Sequence, residues 1–396
     1  MSTFGSGSNQ GGAGLPAMRG ISRRQLLEFA ALAGGAAFLS ACSTKPGGSV
    51  PGAGNGATDE LIWANWPLSV DTDDDGNIPS LAEFKKRTGI HAEYLAEINS
   101  NDEWFAKVQP LMQTGQGIPA SLVSPTDWMG GRFMSLDWAA ALDKSKIPNA
   151  KNLLPAFASP AFDPSRTYSL PWQGWLVGIA VNTDVTGKDV RSVDALLNDP
   201  SLKGKVSLLT ELRETTGTLM LANGADPGNF TDDDFNQSIE DIEAARASGQ
   251  LRRFTGNDYA ADLAQGNLGA CLAWAGDVVQ LSKDNPAIKF FIPESGGVLM
   301  EDVMMVPKGA PNSDGAHDLI DFYFEPEIAA QVAAYVNAVC PVAGAQDAIA
   351  NIDPELAENQ LIFPDAKAME QMFTYMALSI EDNQKYQSSF DKALGL

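Results

Sequence analysis

The sequence predicts an α/β fold in two domains, and three observations carry that expectation. From Leu61 onward, short apolar runs alternate with amphipathic helical stretches, the pattern of strands and helices layered on a largely parallel sheet. The 396 residues leave 338 after residue 58, more than one hydrophobic core normally serves. One long extended aromatic stretch, YSLPWQGWLVGIAVN at 168–182, breaks the alternation and is long enough to leave one domain and enter another.

The first half predicts a strand at 61–64, a helix at 80–87 stopped by Gly89, and a helix at 102–113 with Pro110 near its end. A strand at 120–124 and a helix near 127–134 follow. Beyond residue 182 the alternation resumes with a helix at 193–197, a strand at 206–209, and helices at 215–222 and 232–247. Next come a strand at 268–274, a helix after Gly276, and strands at 288–292 and 303–306. From Gly315 the pattern is mostly helical, with candidates at 317–324, 328–335, 366–375 and 381–393.

The N-terminal stretch from Ser22 to Cys42, SRRQLLEFAALAGGAAFLSAC, has a different logic. A twin arginine (Arg23, Arg24) precedes an apolar run at 26–39 that holds one charge, Glu28. That run is shorter than the roughly 20 residues a spanning helix needs, so it reads as the apolar part of an export signal. Leu39-Ser40-Ala41-Cys42 fits a lipobox, with Cys42 as the lipidated residue of a Tat-type lipoprotein signal. Residues 43–58 carry five glycines and two prolines, a flexible tether of about 22 Å root-mean-square span. The chain is therefore expected to be exported and held by lipid on the outer face of the cytoplasmic membrane.

Formal net charge is −23, and about −25 once the basic signal is removed. Such a surface disfavours nucleic acid and anionic headgroups and favours a cationic ligand. It also keeps a protein soluble, and composition does not separate the two. Cys271 and Cys340 remain after Cys42; an exported compartment allows a disulfide, while the apolar settings GACLAW and AVCPVA suit buried free thiols equally.

The catalytic inventory is poor. Of two histidines, His91 stands at a strand start and His317 in an expected surface helix. No nucleophile elbow, zinc-protease motif or phosphate loop is present, and no cofactor is expected. Residues 71–78, DTDDDGNI, match the front half of a calcium loop, but Ala82 stands at the closing position and Glu83 comes one residue late. A solvated acidic turn between strand and helix is the alternative.

Acids and tryptophans recur at the ends of expected elements: Trp66, Asp127 with Trp128, Glu211 and Glu214, Trp274 and Asp302. Strand ends in open α/β sheets face the binding crevice. There carboxylates hold ammonium groups and tryptophan faces cover methylenes.

The segments WANWP, FKKRTGI, AFDPSRTYSLPW with GIAVN, Arg213-Glu214, CLAWAGD, PESGGVLMEDVMMVP and FPDA occur in this order over residues 60–395. In that order and spacing the chain resembles the spermidine/putrescine-binding proteins of ABC transporters. The resemblance implies a two-lobed periplasmic-binding-protein fold of type II, its discontinuous lobes joined by crossing hinge strands. It implies lobes of residues 59–176 plus 302–345 and 177–301 plus 346–396, closing as a monomer on a polyamine that is handed to a membrane permease. The implied ligand residues are Trp66, Asp127, Glu211, Glu214, Trp274 and Asp302, with Glu211, Glu214 and Asp302 as the amine-binding carboxylates; Trp128, beside Asp127, joins them as a candidate from its place after a strand. Pro67, Leu68 and Ser69 stand where the family has polar, acidic and aromatic residues. Met300 and Ala338 stand at expected aromatic positions, and Tyr375 where a glutamine is expected in a helix. These departures leave open a different solute on the same fold, an amino acid derivative, a sugar or ferric ion. A cell-surface hydrolase is the alternative from another class.

Overall fold

The computed structural model describes residues 59–395 apart from 74, 99 and 352; the expected signal, its lipobox cysteine Cys42 and the tether at 43–58 lie outside the described residues. Ten strands among the described residues join one sheet: β1 (Glu60–Asn65), β2 (His91–Ala96), β3 (Leu122–Val123), β4 (Ser169–Asn182), β5 (Val206–Leu209), β6 (Leu251–Thr255), β7 (Ala270–Trp274), β8 (Ile288–Phe291), β9 (Gly297–Met305) and β10 (Met372–Phe373). Their order is β2-β1-β3-β9-β4-β7-β5-β6, with β10 on β9 and β8 on β4.

The expected largely parallel sheet holds only at the flanks. β2-β1-β3 and β6-β5-β7 are parallel, whereas β3-β9, β9-β4 and β4-β7 are antiparallel. The reason is the length of β4 and β9. Instead of returning through a crossover helix, each long strand runs from one flank into the other, and the two pair directly from Ser169↔Met305 to Val177↔Val298.

Local chemistry sets most helix ends. Pro79 opens the helix Pro79–Thr88, where its missing N–H costs nothing, and Gly89 closes it at φ 81°, a left-handed cap. Thr231 and Asp234 exchange bonds in a capping box at the start of Asp232–Ala247. The expected helix at 366–375 is wrong: Asp365 caps only Ala366–Met369, after which Met372–Phe373 is drawn out to pair with Gly297 and Val298. The strand expected at 303–306 begins at Gly297, because its earlier residues pair across to β4.

Apolar packing gathers along this sheet in two large groups. One joins residues of β4, β5, β7 and the helix Leu212–Ala222 to Tyr375, Tyr386 and Phe390. The second, made up of two clusters, collects residues 61–172 with 303–363, including Ile349, Leu356, Ile362 and Phe363. Cys271 belongs to the former and Cys340 to the latter; both are buried free thiols, so the disulfide alternative is set aside. His317 corrects a second expectation. It is buried, its Nε2 accepting from Asp143 N at 3.0 Å, which leaves Nδ1 to donate to the Ser313 carbonyl at 2.6 Å.

Candidate ligand-binding site

The pleat of β4 and β9 sorts their side chains to two faces. Residues directly opposite on an antiparallel pair share a face and successive residues alternate. Gln173 and Trp175 of β4 therefore stand with Asp302 and Met300 of β9, while Gly174 and Leu176 stand with Glu301 and Leu299. A side chain at Gly174 would crowd its neighbours, since a Cβ would come within 3.0 Å of Val339 and 3.1 Å of Phe157. 

On the face of Gly174 lies a cavity of about 410 Å3 lined by Phe157, Leu299, Glu301, Met372 and Phe373. Glu301 there is paired with Arg166 at 2.7 Å, both of them buried.

The other face carries the expected acids. Asp302 is buried, its Oδ2 accepting from Trp175 Nε1 at 2.7 Å. Loss of hydration pushes its carboxyl up to about 7; the Trp175 N–H opposes the rise and the charge of Asp127 adds to it. Thr126 pairs with Asp302 through an isolated antiparallel bridge, which brings Asp127, first residue of the helix Asp127–Ser135, to the same place. Asp127 is buried and raised to about 6 by desolvation, against the pull of the Trp128 N–H and the Arg213 guanidinium.

Glu211 and Glu214 come from the start of the helix Leu212–Ala222, directly after β5. Burial and then the charge of Glu211 raise Glu214 to about 8. Glu211 is exposed by area, yet desolvation still raises it, as for a group open to solvent but walled by protein. Asp127 and Glu211 each act on Glu214, and Asp127 on Asp302, so the four acids form one electrostatic group.

The tryptophans divide. Trp66 Nε1 comes toward Asp302 and has no hydrogen-bond partner. Trp274 lies opposite Val177 of β4, hence on the Trp175 face, and its backbone N–H donates to Tyr259 Oη at 3.0 Å. Trp128 packs against both large groups of apolar side chains, and the Arg213 guanidinium lies 4.2 Å from its ring centre. One face of Trp128 is thus covered by the protein's own cation.

Three residues here were not among the expected ligand residues. Trp175 and Gln173 lie within the extended stretch at 168–182, where alternation marks a two-faced strand but not which face meets the acids. Arg213 stands between two expected ligand acids; its Nη2 donates to Asn383 Oδ1 at 2.6 Å and its Nε has no partner. Tyr375, expected in a helix, instead lies in the second-half core, its hydroxyl 3.2 Å from Thr216 Oγ1.

The acidic turn at 71–78 is occupied with its own backbone. Asp73 Oδ1 accepts from Asp75 N at 3.0 Å and Asn77 N at 2.8 Å, while buried Asp71 accepts from Ser80 N at 3.0 Å and Gln331 Nε2 at 2.6 Å. Among the described residues no group of three or more acids, histidines or cysteines has metal-binding geometry.

Comparison with known proteins gives consistent findings. The family of bacterial extracellular solute-binding proteins matches residues 80–364. The spermidine/putrescine-binding periplasmic protein of Escherichia coli K12 is 28% identical over 297 residues, covering 73% of this chain and 80% of that protein. The putrescine-binding periplasmic protein PotF of the same organism is 29% identical over 327 residues, covering 76% and 83%. Among solved structures, the spermidine/putrescine substrate-binding protein PotD of Streptococcus pneumoniae superposes with a TM-score of 0.73 at 23% identity, over 85% of this chain and 98% of that one. A GABA receptor, Atu4243, superposes at 0.69 with 15% identity, over 85% and 97%. The fold is that of the periplasmic binding proteins.

Proposed function

Because the chain belongs to the family of bacterial extracellular solute-binding proteins, we propose that it is the substrate-binding component of an ABC importer and that its solute is a polyamine, spermidine or putrescine. One observation carries the choice of solute: Asp127, Glu211, Glu214 and Asp302 are gathered with every carboxyl raised by burial. Four desolvated acids in one electrostatic group are unfavourable when empty and become favourable when ammonium groups enter. In this reading Glu211, Glu214 and Asp302 hold the ammonium groups, Trp66 and Trp274 cover the methylenes, and Asp127 and Trp128 stand at the edge. The names of the Escherichia coli relatives support the same class of solute. A titration of the full chain with spermidine, putrescine, amino acids and sugars, followed by thermal unfolding, tests it. No shift with millimolar polyamine would sink the choice of solute. Recovery of the solute chemically unchanged is expected of a receptor, whereas turnover would favour the hydrolase.

Closure between two lobes is part of the proposal. The two groups of apolar packing support lobes of residues 59–176 plus 302–363 and 177–301 plus 364–396. The segment 346–363 is moved to the first lobe because Ile349, Leu356, Ile362 and Phe363 pack there. Export, lipidation at Cys42, docking as a monomer onto a membrane permease and release of the solute to it complete the reading. Among the described residues no helix is long and apolar enough to cross a membrane. Intact-mass measurement of the membrane fraction tests Cys42: an unlipidated cysteine would remove the anchor from the proposal.

Arg213 favours a second reading, a solute carrying a carboxylate as well as an ammonium group. Its buried Nε–H lacks an acceptor among the protein groups, and a carboxylate would supply one. Binding of an ω-amino acid more tightly than of any diamine would select this reading.

A further inference from the structure

Gln173 is 3% exposed, and its Oε1 has no hydrogen-bond partner. It stands directly opposite Asp302 in the β4–β9 register, so the two side chains project from the same face of the sheet. Two residues further along the same face, Trp175 holds Asp302 Oδ2. A buried amide oxygen without a donor is costly in a folded protein and is uncommon unless something else supplies the donor. The residue directly opposite it, Asp302, belongs with Asp127, Glu211 and Glu214 to one electrostatic group of acids. A further carboxylate in this place would repel them, whereas a neutral carbonyl accepts a hydrogen bond without adding charge.

We propose that Gln173 is a ligand-binding residue whose Oε1 accepts a hydrogen bond from the protonated amine seated against Asp302. The inference rests on the polyamine reading above. Asp302 supplies the charge, Trp175 fixes its orientation, and Gln173 supplies a second acceptor at the same nitrogen. A protonated amine carries two or three N–H donors, which one carboxylate oxygen cannot fully satisfy in a site closed to water.

Gln173→Leu and Gln173→Met in the full chain test this, with spermidine and putrescine as probes in calorimetric titrations at neutral pH and thermal unfolding of the unliganded protein alongside. Loss of a hydrogen bond to a charged group predicts dissociation constants raised roughly ten- to hundredfold. Replacing an unpartnered buried acceptor by an apolar group predicts an unliganded midpoint that is unchanged or higher. These opposite movements would not arise from a purely structural glutamine. Affinities within twofold of wild type in both variants would overturn the assignment, as would a lowered unliganded midpoint in both. Absence of polyamine binding to the wild type would instead remove the reading on which it rests.

Discussion

Replacing Asp302 by asparagine should move affinity and unliganded stability in opposite directions. The side chain is buried, and its carboxyl is raised from 3.8 to about 7 chiefly by desolvation. A raised folded-state value means that its contribution to stability is fully present below the unfolded value near 4 and is lost as pH rises through about 7. A shift of that size corresponds to about 4 kcal/mol of unfavourable free energy in the ionised, empty site. Asparagine retains an oxygen for Trp175 Nε1 and removes the charge. The unliganded variant should therefore gain about 4 kcal/mol at pH 8 and only about 1–2 kcal/mol at pH 5, less the weakening of the Trp175 bond. Binding should suffer, because an ammonium group would lose its buried anion. Truncating one partner of such a pair costs roughly 2–5 kcal/mol, or about 30-fold to several thousandfold in dissociation constant. Urea denaturation at both pH values and calorimetry with spermidine measure the two effects. An affinity within twofold of wild type would refute the role of Asp302, and an unliganded stability gain equal at pH 5 and pH 8 would refute its electrostatic origin.

Three further outcomes follow from the same geometry. Polyamine affinity should rise from pH 5 to pH 8 as Asp127, Asp302 and Glu214 ionise through about 6, 7 and 8 while the amines stay protonated; titrations in buffers of different ionisation enthalpy should show proton release, and a flat profile would contradict the arrangement. Arg166→Met should cost about 3–5 kcal/mol in urea denaturation by leaving Glu301 unpaired, most above pH 7 where that carboxyl ionises, and Arg166→Met with Glu301→Leu should recover most of it; equal losses in both variants would show that the ion pair is not the cause. Gly178→Ala should lower stability by about 1–3 kcal/mol, since the added Cβ would meet Phe290 Cζ at 2.5 Å and the Phe291 carbonyl at 2.6 Å where β8 crosses β4; an unchanged unfolding midpoint would mean the strands part freely there.

Much of the chain was legible one residue after another. The helix Asp232–Ala247 follows from a capping box and a 3.6-residue period, and Pro79–Thr88 from a proline at its start and a glycine after its end. Those signals act within a few residues, so the sequence alone determines them. It also determined that Asp127, Glu211, Glu214 and Asp302 are acids lying at the ends or on the central strands of an α/β sheet. The tertiary structure decided which of these acids come together and how deeply they are buried. The raised carboxyl of Asp302 depends on burial and on neighbours more than 100 residues away, Trp175 and Asp127. Period-two alternation along β4 separates Gln173 and Trp175 from Gly174 but leaves the choice of face undetermined until β9 pairs with it. Likewise, the antiparallel centre of the sheet comes from two long strands meeting each other, a long-range pairing that no local signal encodes. Burial, charge coupling and strand register are properties of residues brought together in space, and they are what turn a list of acids and tryptophans into the proposed cation site.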